Sequence, residues 1–404
     1  MRVWKHRQTA FMLAALFITC LPGSKDACVT TDHPVHDLFG MPHSLYTGIV
    51  RSYLRTQGIA YRELGTRHPV FAAEILPVTR RSIIPVLRTA EGEIIQDSLD
   101  IIDHFEVRGV PYPAYPDTPL QRVLAIVLQY YGCQSLLRHA MHYRWSFLAE
   151  QEGFIRHAFA SALGAELAED VMQRMQSYLP GLGVTPETAP LIEASYRDLL
   201  QLLNTHLAQH PYLFGGRPSI ADYGLIGPLY AHLGRDPVPA GIMKTTAPWV
   251  YRWVERMLAP GLDVVEFADY GTAFIADDAI PDTLAPVLAH AAAEIFPELT
   301  DKLAFMDAWV AENQPGDGQP VGAKPHQRHI GQVQTQFRGA PIQAGVEPYL
   351  LYLLQRAGDV MNSLLPVEQK RVQAALENYG LLAAVPAPRG YRVGRAGQLE
   401  VWLR

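Results

Sequence analysis

Three short groups of residues in this 404-residue chain have types and spacings suited to chemistry: Ser44-x-x-Thr47, Ile84-Pro85 and Asp97-Ser98. The first occupies a turn before an apolar helical run, where a redox protein would carry Cys-x-x-Cys. With Ser and Thr in those places the turn cannot form a disulfide, so any reacting sulfur must come from a ligand. Unpaired amides and the helix dipole favour an anion at a helix start, and thiolates there have lowered pKa values. The Ser44 hydroxyl could donate to such a thiolate, although Ser and Thr at this place also serve simply as helix caps. Pro85 breaks the apolar strand Ser82-Ile83-Ile84-Pro85-Val86-Leu87, which a central strand normally forbids. A cis Ile84-Pro85 bond would explain it, turning the Ile84 carbonyl and amide outward to pair with an extended peptide. Asp97-Ser98 opens an amphipathic helix carrying Leu99, Ile102 and Phe105 on one face; its amides and the Ser98 hydroxyl could hold a carboxylate, and Asp97 an ammonium group.

The elements that must position these groups follow in a fixed order. Leu38-Phe39-Gly40 reads as a strand and residues 48–56 as a helix ending before Gly58, where a C-cap belongs. After the proline-broken strand, Thr89-Ala90-Glu91-Gly92 reads as a hairpin turn and Glu93-Ile94-Ile95-Gln96 as a short strand. Residues 111–119 are proline-rich and read as a linker. Helices are expected over 120–131, 136–150, 158–179, 191–209, 221–233 and 248–258. Ser219-Ile220-Ala221-Asp222 forms a capping box at the start of one of them.

At these residues the chain resembles the glutathione S-transferase superfamily. The match runs from about residue 37 to 106, and the Ser219-x-x-Asp222 start resembles the family's helical second domain. The implied fold is α+β: a thioredoxin-like domain over 35–110, an all-α helical bundle over 118–258 and a mainly helical extension over 259–404. Counting back from Val50-Arg51 puts Ser44 at the catalytic Ser or Cys position. Ile84 and Pro85 then fall where the cysteinyl backbone of glutathione pairs, and Asp97 and Ser98 where its γ-glutamyl end is held. Asp97 departs from the commoner Glu. Arg81, just ahead of the proline strand, could meet the glycyl carboxylate. Tyr46 is the rival catalytic residue, since some classes use a tyrosine hydroxyl, but it lies inside the turn and not at the end of the first strand. His142 and Trp145, with Arg138, His139, Tyr143 and Arg144, fall on a helix expected to face the interdomain cleft and could line a pocket for an electrophile.

The resemblance implies a cytoplasmic, detoxifying glutathione transferase, a homodimer, with glutathione as co-substrate and a small electrophile as second substrate. Alternatives are a non-catalytic adaptor of the same fold, which the long extension favours, and a glutathione-dependent reductase or dehalogenase. The thiol-transfer form of the last would need a cysteine, and Cys133 is the only one within the expected domains. Net charge is −6, with 34 basic and 40 acidic residues, and no basic stripe suggests nucleic acid. Three cysteines, at 20, 28 and 133, are too few and scattered for a disulfide framework or a zinc site. His139 and His142 share helical spacing, as do His326 and His329 if that loop is helical, but neither pair has an evident third ligand, so no metal is expected. Lys5, His6 and Arg7 before the apolar run 10–21 imitate a secretory signal or anchor, which leaves export through residues 1–34 as an alternative to the cytoplasm. In the extension, two helices are expected within 281–313, residues 314–345 are Gly-, Pro- and Gln-rich, and helix is expected over 348–379, followed by a hairpin pairing residues 391–393 with 399–402.

Overall fold

The structure, a computed structural model, describes residues 35–404; the signal-like run 10–21, Cys20 and Cys28 lie outside the described residues. The first domain runs β1 (His36–Phe39), α1 (Leu45–Gln57), β2 (Tyr61–Leu64), a π-turn at Phe71–Ile75 leading into α2 (Leu76–Thr79), β3 (Val86–Arg88), β4 (Ile94–Gln96) and α3 (Ser98–Glu106). The sheet order is β2-β1-β3-β4, with β1 and β2 parallel and the other pairs antiparallel, which is the thioredoxin-like arrangement. Asp37 on β1 ties three strands together, since its carboxylate pairs with Arg62 on β2 and, at 2.6 Å, with Arg88 on β3. Ser44 caps α1 by accepting from the Thr47 amide, and Gly58 ends the helix at φ 67°. The strand expected over 82–87 is shorter than its apolar run. Pairing begins only at Val86, because Pro85 has no N–H to give the ladder.

The second domain comprises α4 (Pro119–Tyr130), a π-turn at Tyr131–Ser135, α5 (Leu137–Trp145), α6 (Leu148–Leu163), α7 (Ala165–Gln176), α8 (Ala189–Leu207), α9 (Ile220–Ala231), α10 (Pro237–Thr246) and α11 (Pro248–Leu258). The single helix expected over 158–179 is two, because Gly164 at φ 84° breaks it. Helix α10 has no counterpart among the expected helices; Pro237 serves as its first residue, where a missing N–H costs nothing. Helix α9 is buried along nearly its whole length and packs on both α1 and α4. Its approach to α4 and to the π-turn after it needs glycine at 224 and 132, since a Cβ on Gly224 would stand 2.5 Å from Gln129 Cα and one on Gly132 would stand 2.4 Å from the Gly224 carbonyl carbon. The Asp222 carboxylate accepts from the Ser219 amide and hydroxyl at 2.8 Å and from Leu213 N and Trp253 Nε1, which makes the expected capping box a buried four-way junction.

The remainder forms α12 (Ala285–Ile295), α13 (Glu298–Asn313), β5 (Gly331–Phe337), β6 (Ala340–Val346), α14 (Tyr349–Ser363), α15 (Pro366–Asn378), β7 (Arg392–Ala396) and β8 (Leu399–Leu403). One stretch gains an element and one expectation changes. Residues 314–345, marked in the sequence only by their Gly, Pro and Gln content, contain the β5–β6 hairpin, in which polar residues alternate with buried Thr335 and Phe337. Its two-residue turn is Arg338-Gly339, both at positive φ, as the twist of a tight hairpin demands. The single helical stretch over 348–379 is divided at Leu364-Leu365, ahead of Pro366. The β7–β8 hairpin lies where it was expected. Helix α14 packs on α4, and buried side chains of the extension join those of the first two domains in one hydrophobic core. Among the described residues no helix is long and apolar enough to cross a membrane.

Candidate functional site

The N-terminus of α3 and the irregular segment leading into β3 form one wall of a cleft. Asp97 caps α3, accepting the Leu99 amide at 2.9 Å, and its φ of 102° is a strained value for a non-glycine residue. The Ile84–Pro85 bond is cis, and the Pro85 carbonyl accepts from the Asp97 amide at 3.3 Å. Ile84, Pro85, Asp97 and Ser98 line one small cavity together with Tyr46, Arg81, Gln96, Arg328 and Tyr349. The residues singled out from the sequence on this wall therefore converge. The cavity is only about 40 Å3, far below the roughly 300–1,000 Å3 of ordinary ligand pockets.

The extension fills the rest. The Asp97 carboxylate accepts the Tyr349 hydroxyl at 2.8 Å and pairs with Arg395 at 3.0 Å. Arg395 also reaches Asp100 and Glu400, each at 2.8 Å, and lies over the rings of Tyr349 and Tyr352. Arg81, expected to face a ligand carboxylate, instead pairs with Glu400 at 2.8 Å and donates to the Gln398 carbonyl at 2.7 Å and to Gln96. Gln398 covers the edge of β4, accepting from Gln96 N at 2.7 Å and donating to the Ile94 carbonyl at 2.8 Å. Burial alone would raise the Glu400 carboxyl, but Arg328, Arg395 and Arg81 hold it down to about 2. Burial and the adjacent Asp97 carboxylate push Asp100 up to about 7.

A larger cavity of about 250 Å3 adjoins the first, sharing Tyr46 and Arg328 with it. Its walls come from α1, α4, α5 and the extension, and they mix polar and apolar groups: Gln134, Ser135, Arg138, Lys302, His329 and Glu347 line it beside Tyr130, Leu137, Leu182 and Leu350. Arg138 and Lys302 both pair with Glu298 at 2.5 Å. Tyr46 donates its hydroxyl proton to the Cys133 carbonyl at 3.2 Å, and burial raises its pKa. Ser44 lines neither cavity; its Oγ accepts from Thr47 N at 3.3 Å, and that bond leaves its own proton uncommitted. The Cys133 thiol is buried and its pKa is raised by that burial, so it has little of the thiolate character a mixed disulfide requires.

Helix α5 departs from its expected role. It does not present one face to a cleft; every residue from Arg138 to Trp145 is buried, because α6, α8 and α9 pack around it. Arg138 alone of the expected cluster lines the larger cavity. His142 faces Glu193 on α8 at 3.3 Å, and Trp145 packs with Met141, Ile155 and Phe159. His139 meets Ser195 at 2.9 Å in a buried network with Glu294 and His290. His326 and His329 lie in a loop and not on a helix. No group of three or more His, Cys, Asp or Glu among the described residues could hold a metal ion.

The residues that sequence reasoning missed are those of the extension: Arg328, Tyr349, Tyr352, Arg356, Arg395, Gln398 and Glu400. A signal for them exists. Asp97, Asp100 and Asp103 recur every three residues on one face of α3, an acidic stripe that calls for partners. Helix α14 answers it rung by rung, with Tyr349 on Asp97, Tyr352 on Asp100 at 2.5 Å and Arg356 on Asp103 at 3.1 Å.

Comparison with known proteins gives two family matches. A family model described as the glutathione S-transferase N-terminal domain matches residues 38–109, and one described as the C-terminal domain matches residues 169–256. No curated protein matches the chain. Among solved structures, a glutathione S-transferase from Xanthobacter autotrophicus Py2 is similar at 19% identity and a TM-score of 0.34, covering 56% of this chain and 95% of its own. A glutathione transferase family member from Pseudomonas fluorescens Pf-5, with bound glutathione, is 18% identical at a TM-score of 0.31, with 57% and 100% covered. A maleylacetoacetate isomerase from Methylobacterium extorquens AM1, with bound malonate and GSH, is 24% identical at a TM-score of 0.31, with 55% and 92% covered.

Proposed function

The chain belongs to the glutathione S-transferase superfamily, and from that premise we propose that it is a glutathione transferase acting on a small electrophile. The observation that carries this reading is the meeting of two cavities at Tyr46. One is lined by Ile84, Pro85, Asp97 and Ser98, the other by Tyr130, Gln134, Ser135 and Lys302. Glutathione in the first would have its cysteinyl backbone against Ile84 and its ammonium end at Asp97. Its sulfur would then face a molecule held in the second. The thiol loses its proton to solvent, the thiolate forms a bond to an electrophilic carbon, and the leaving group departs with the bonding pair. Holding both reactants together and lowering the thiol pKa supply most of the acceleration.

Of the two candidate thiolate donors, Tyr46 lines both cavities but spends its proton on the Cys133 carbonyl, whereas Ser44 lines neither and keeps its proton uncommitted, so the Ser44 role requires the sulfur to reach the start of α1. Ser44→Ala should reduce kcat by about 10²-fold or more, as losing one preorganised donor to a developing charge does elsewhere, with the KM for glutathione little changed. Steady-state kinetics over a panel of small electrophiles checks this, and parallel losses in binding and turnover would remove Ser44 from the role. A homodimer belongs to the same reading and is tested by sedimentation equilibrium. The adaptor reading has one observation in its favour: Asp97 is already held by Tyr349 and Arg395.

A further inference from the structure

The two strands of the β7–β8 hairpin carry a cation and an anion five residues apart, Arg395 and Glu400, paired across the ladder, with Gln398 in the turn between them. Each is bound by a different part of the cleft. Arg395 sits on the Asp97 carboxylate, Glu400 on the Arg81 guanidinium, and Gln398 pairs through its side chain with Ile94 and Gln96 on the exposed edge of β4. A tripeptide thiol of the proposed kind would offer the same three features: an ammonium end, a carboxylate end and peptide amides between. We propose that this hairpin is an internal stand-in for glutathione, a latch that occupies the cleft in cis and must leave before the tripeptide enters.

Three facts support it. The charges match in sign and in order, cation to Asp97 and anion to Arg81. The contacts are dry: the side chains of Arg81 and Glu400 are 3% and 7% exposed, and those of Arg395 and Asp97 are each 13% exposed. The space left beside Ile84 and Pro85 is about 40 Å3, walled on the extension side by Arg328 and by Tyr349, which shares Asp97 with Arg395, so a tripeptide does not fit while the extension is seated. Only the tip of the hairpin is free to part from the cleft. Val393, Val401 and Trp402 are buried and the backbone of β8 also bonds to residues 318–321, whereas Arg395, Gln398 and Glu400 meet the cleft through polar and ionic bonds. A ligand offering the same charges replaces those bonds one for one, which spares each partner the cost of standing buried and unpaired.

The consequence is quantitative. If the hairpin is undocked in a fraction f of molecules, glutathione binds with an apparent Kd of the intrinsic value divided by f. The latch therefore sets a threshold of glutathione concentration below which the cleft stays self-occupied. This inference rests on the glutathione reading above, and its test separates the two.

Calorimetric titration of the full chain with reduced glutathione would be compared with two variants. Arg395→Gln combined with Tyr349→Phe frees Asp97; Gln398→Ala frees the β4 edge and leaves every ion pair in place, so it keeps the test valid if the first variant folds poorly. Circular dichroism and thermal unfolding report the fold of each. The latch predicts that each folded variant binds glutathione at least about tenfold more tightly than the native chain, as expected when f rises by that factor. Native affinity equal to that of the variants overturns the latch and leaves the glutathione reading intact. Absence of binding at millimolar glutathione in native and well-folded variant chains alike overturns both.

Discussion

At the scale of single residues, the cleft is a balance of charges that each need a partner. Glu400 is the anion on which Arg81, Arg328 and Arg395 converge, and its carboxyl is held at about 2, against 4.5 unperturbed. A depressed carboxylate contributes stability that is fully present above its unfolded pKa and lost as pH falls through its folded one. Docking of the hairpin should therefore weaken between pH 4.5 and about 2. Glu400→Gln should lose most of that dependence and be less stable than the native chain at pH 7. Denaturant titrations at several pH values check this, and equal pH slopes in the two proteins would show that Glu400 holds nothing. Arg81 and Asp97 were legible in the sequence as charged residues beside a proline strand and a helix start. Their partners were not, because these lie more than 250 residues away and neither propensity nor spacing encodes that pairing.

At the scale of elements, local rules served well wherever a helix or turn carries its own signals. Ser44 and Gly58 bracket α1, Ser219 and Asp222 start α9, and Pro248 opens α11, all at or next to the expected places. They failed where tertiary packing decides. Helix α5 has a mixed polar face that reads as half-exposed, yet partners from other elements absorb each group: Asp236 takes Arg144, Glu193 takes His142 and Ser195 takes His139. The hairpin β5–β6 escaped notice because glutamines and prolines masked its alternation. Its turn residue Arg338 pairs with Glu294, which also accepts the Ser195 hydroxyl, so this network links α5, α8, α12 and the hairpin. Ser195→Ala would leave His139 and Glu294 short of a partner in a dry setting. A loss of about 1–3 kcal/mol in unfolding free energy is expected from a stranded buried polar group, read from the urea midpoint. A change near zero would mean that the network rearranges around the gap.

At the scale of the whole molecule, what looked like an appendage to two domains is part of one body. The extension contributes α14 to the α4 face, Arg328 and Glu347 to the larger cavity, and a hairpin to the cleft. The thioredoxin-like sheet and helical bundle set the walls, and the last 146 residues of the 404, from 259 on, set what can enter. Sequence reasoning reached the walls through residues 37–106 and 219–222, where motif order is dense. It could not reach the contents, since the tail carries no motif of its own and its role exists only in contact. The central claim is that one cleft receives either the hairpin or glutathione. The most direct test is a crystal structure of the Arg395→Gln, Tyr349→Phe protein grown with reduced glutathione. The account predicts the tripeptide's ammonium end on Asp97, its cysteinyl backbone against Ile84, and the side chains of residues 395, 398 and 400 turned away from the cleft. A hairpin still docked on β4, with glutathione absent or bound elsewhere, would contradict it.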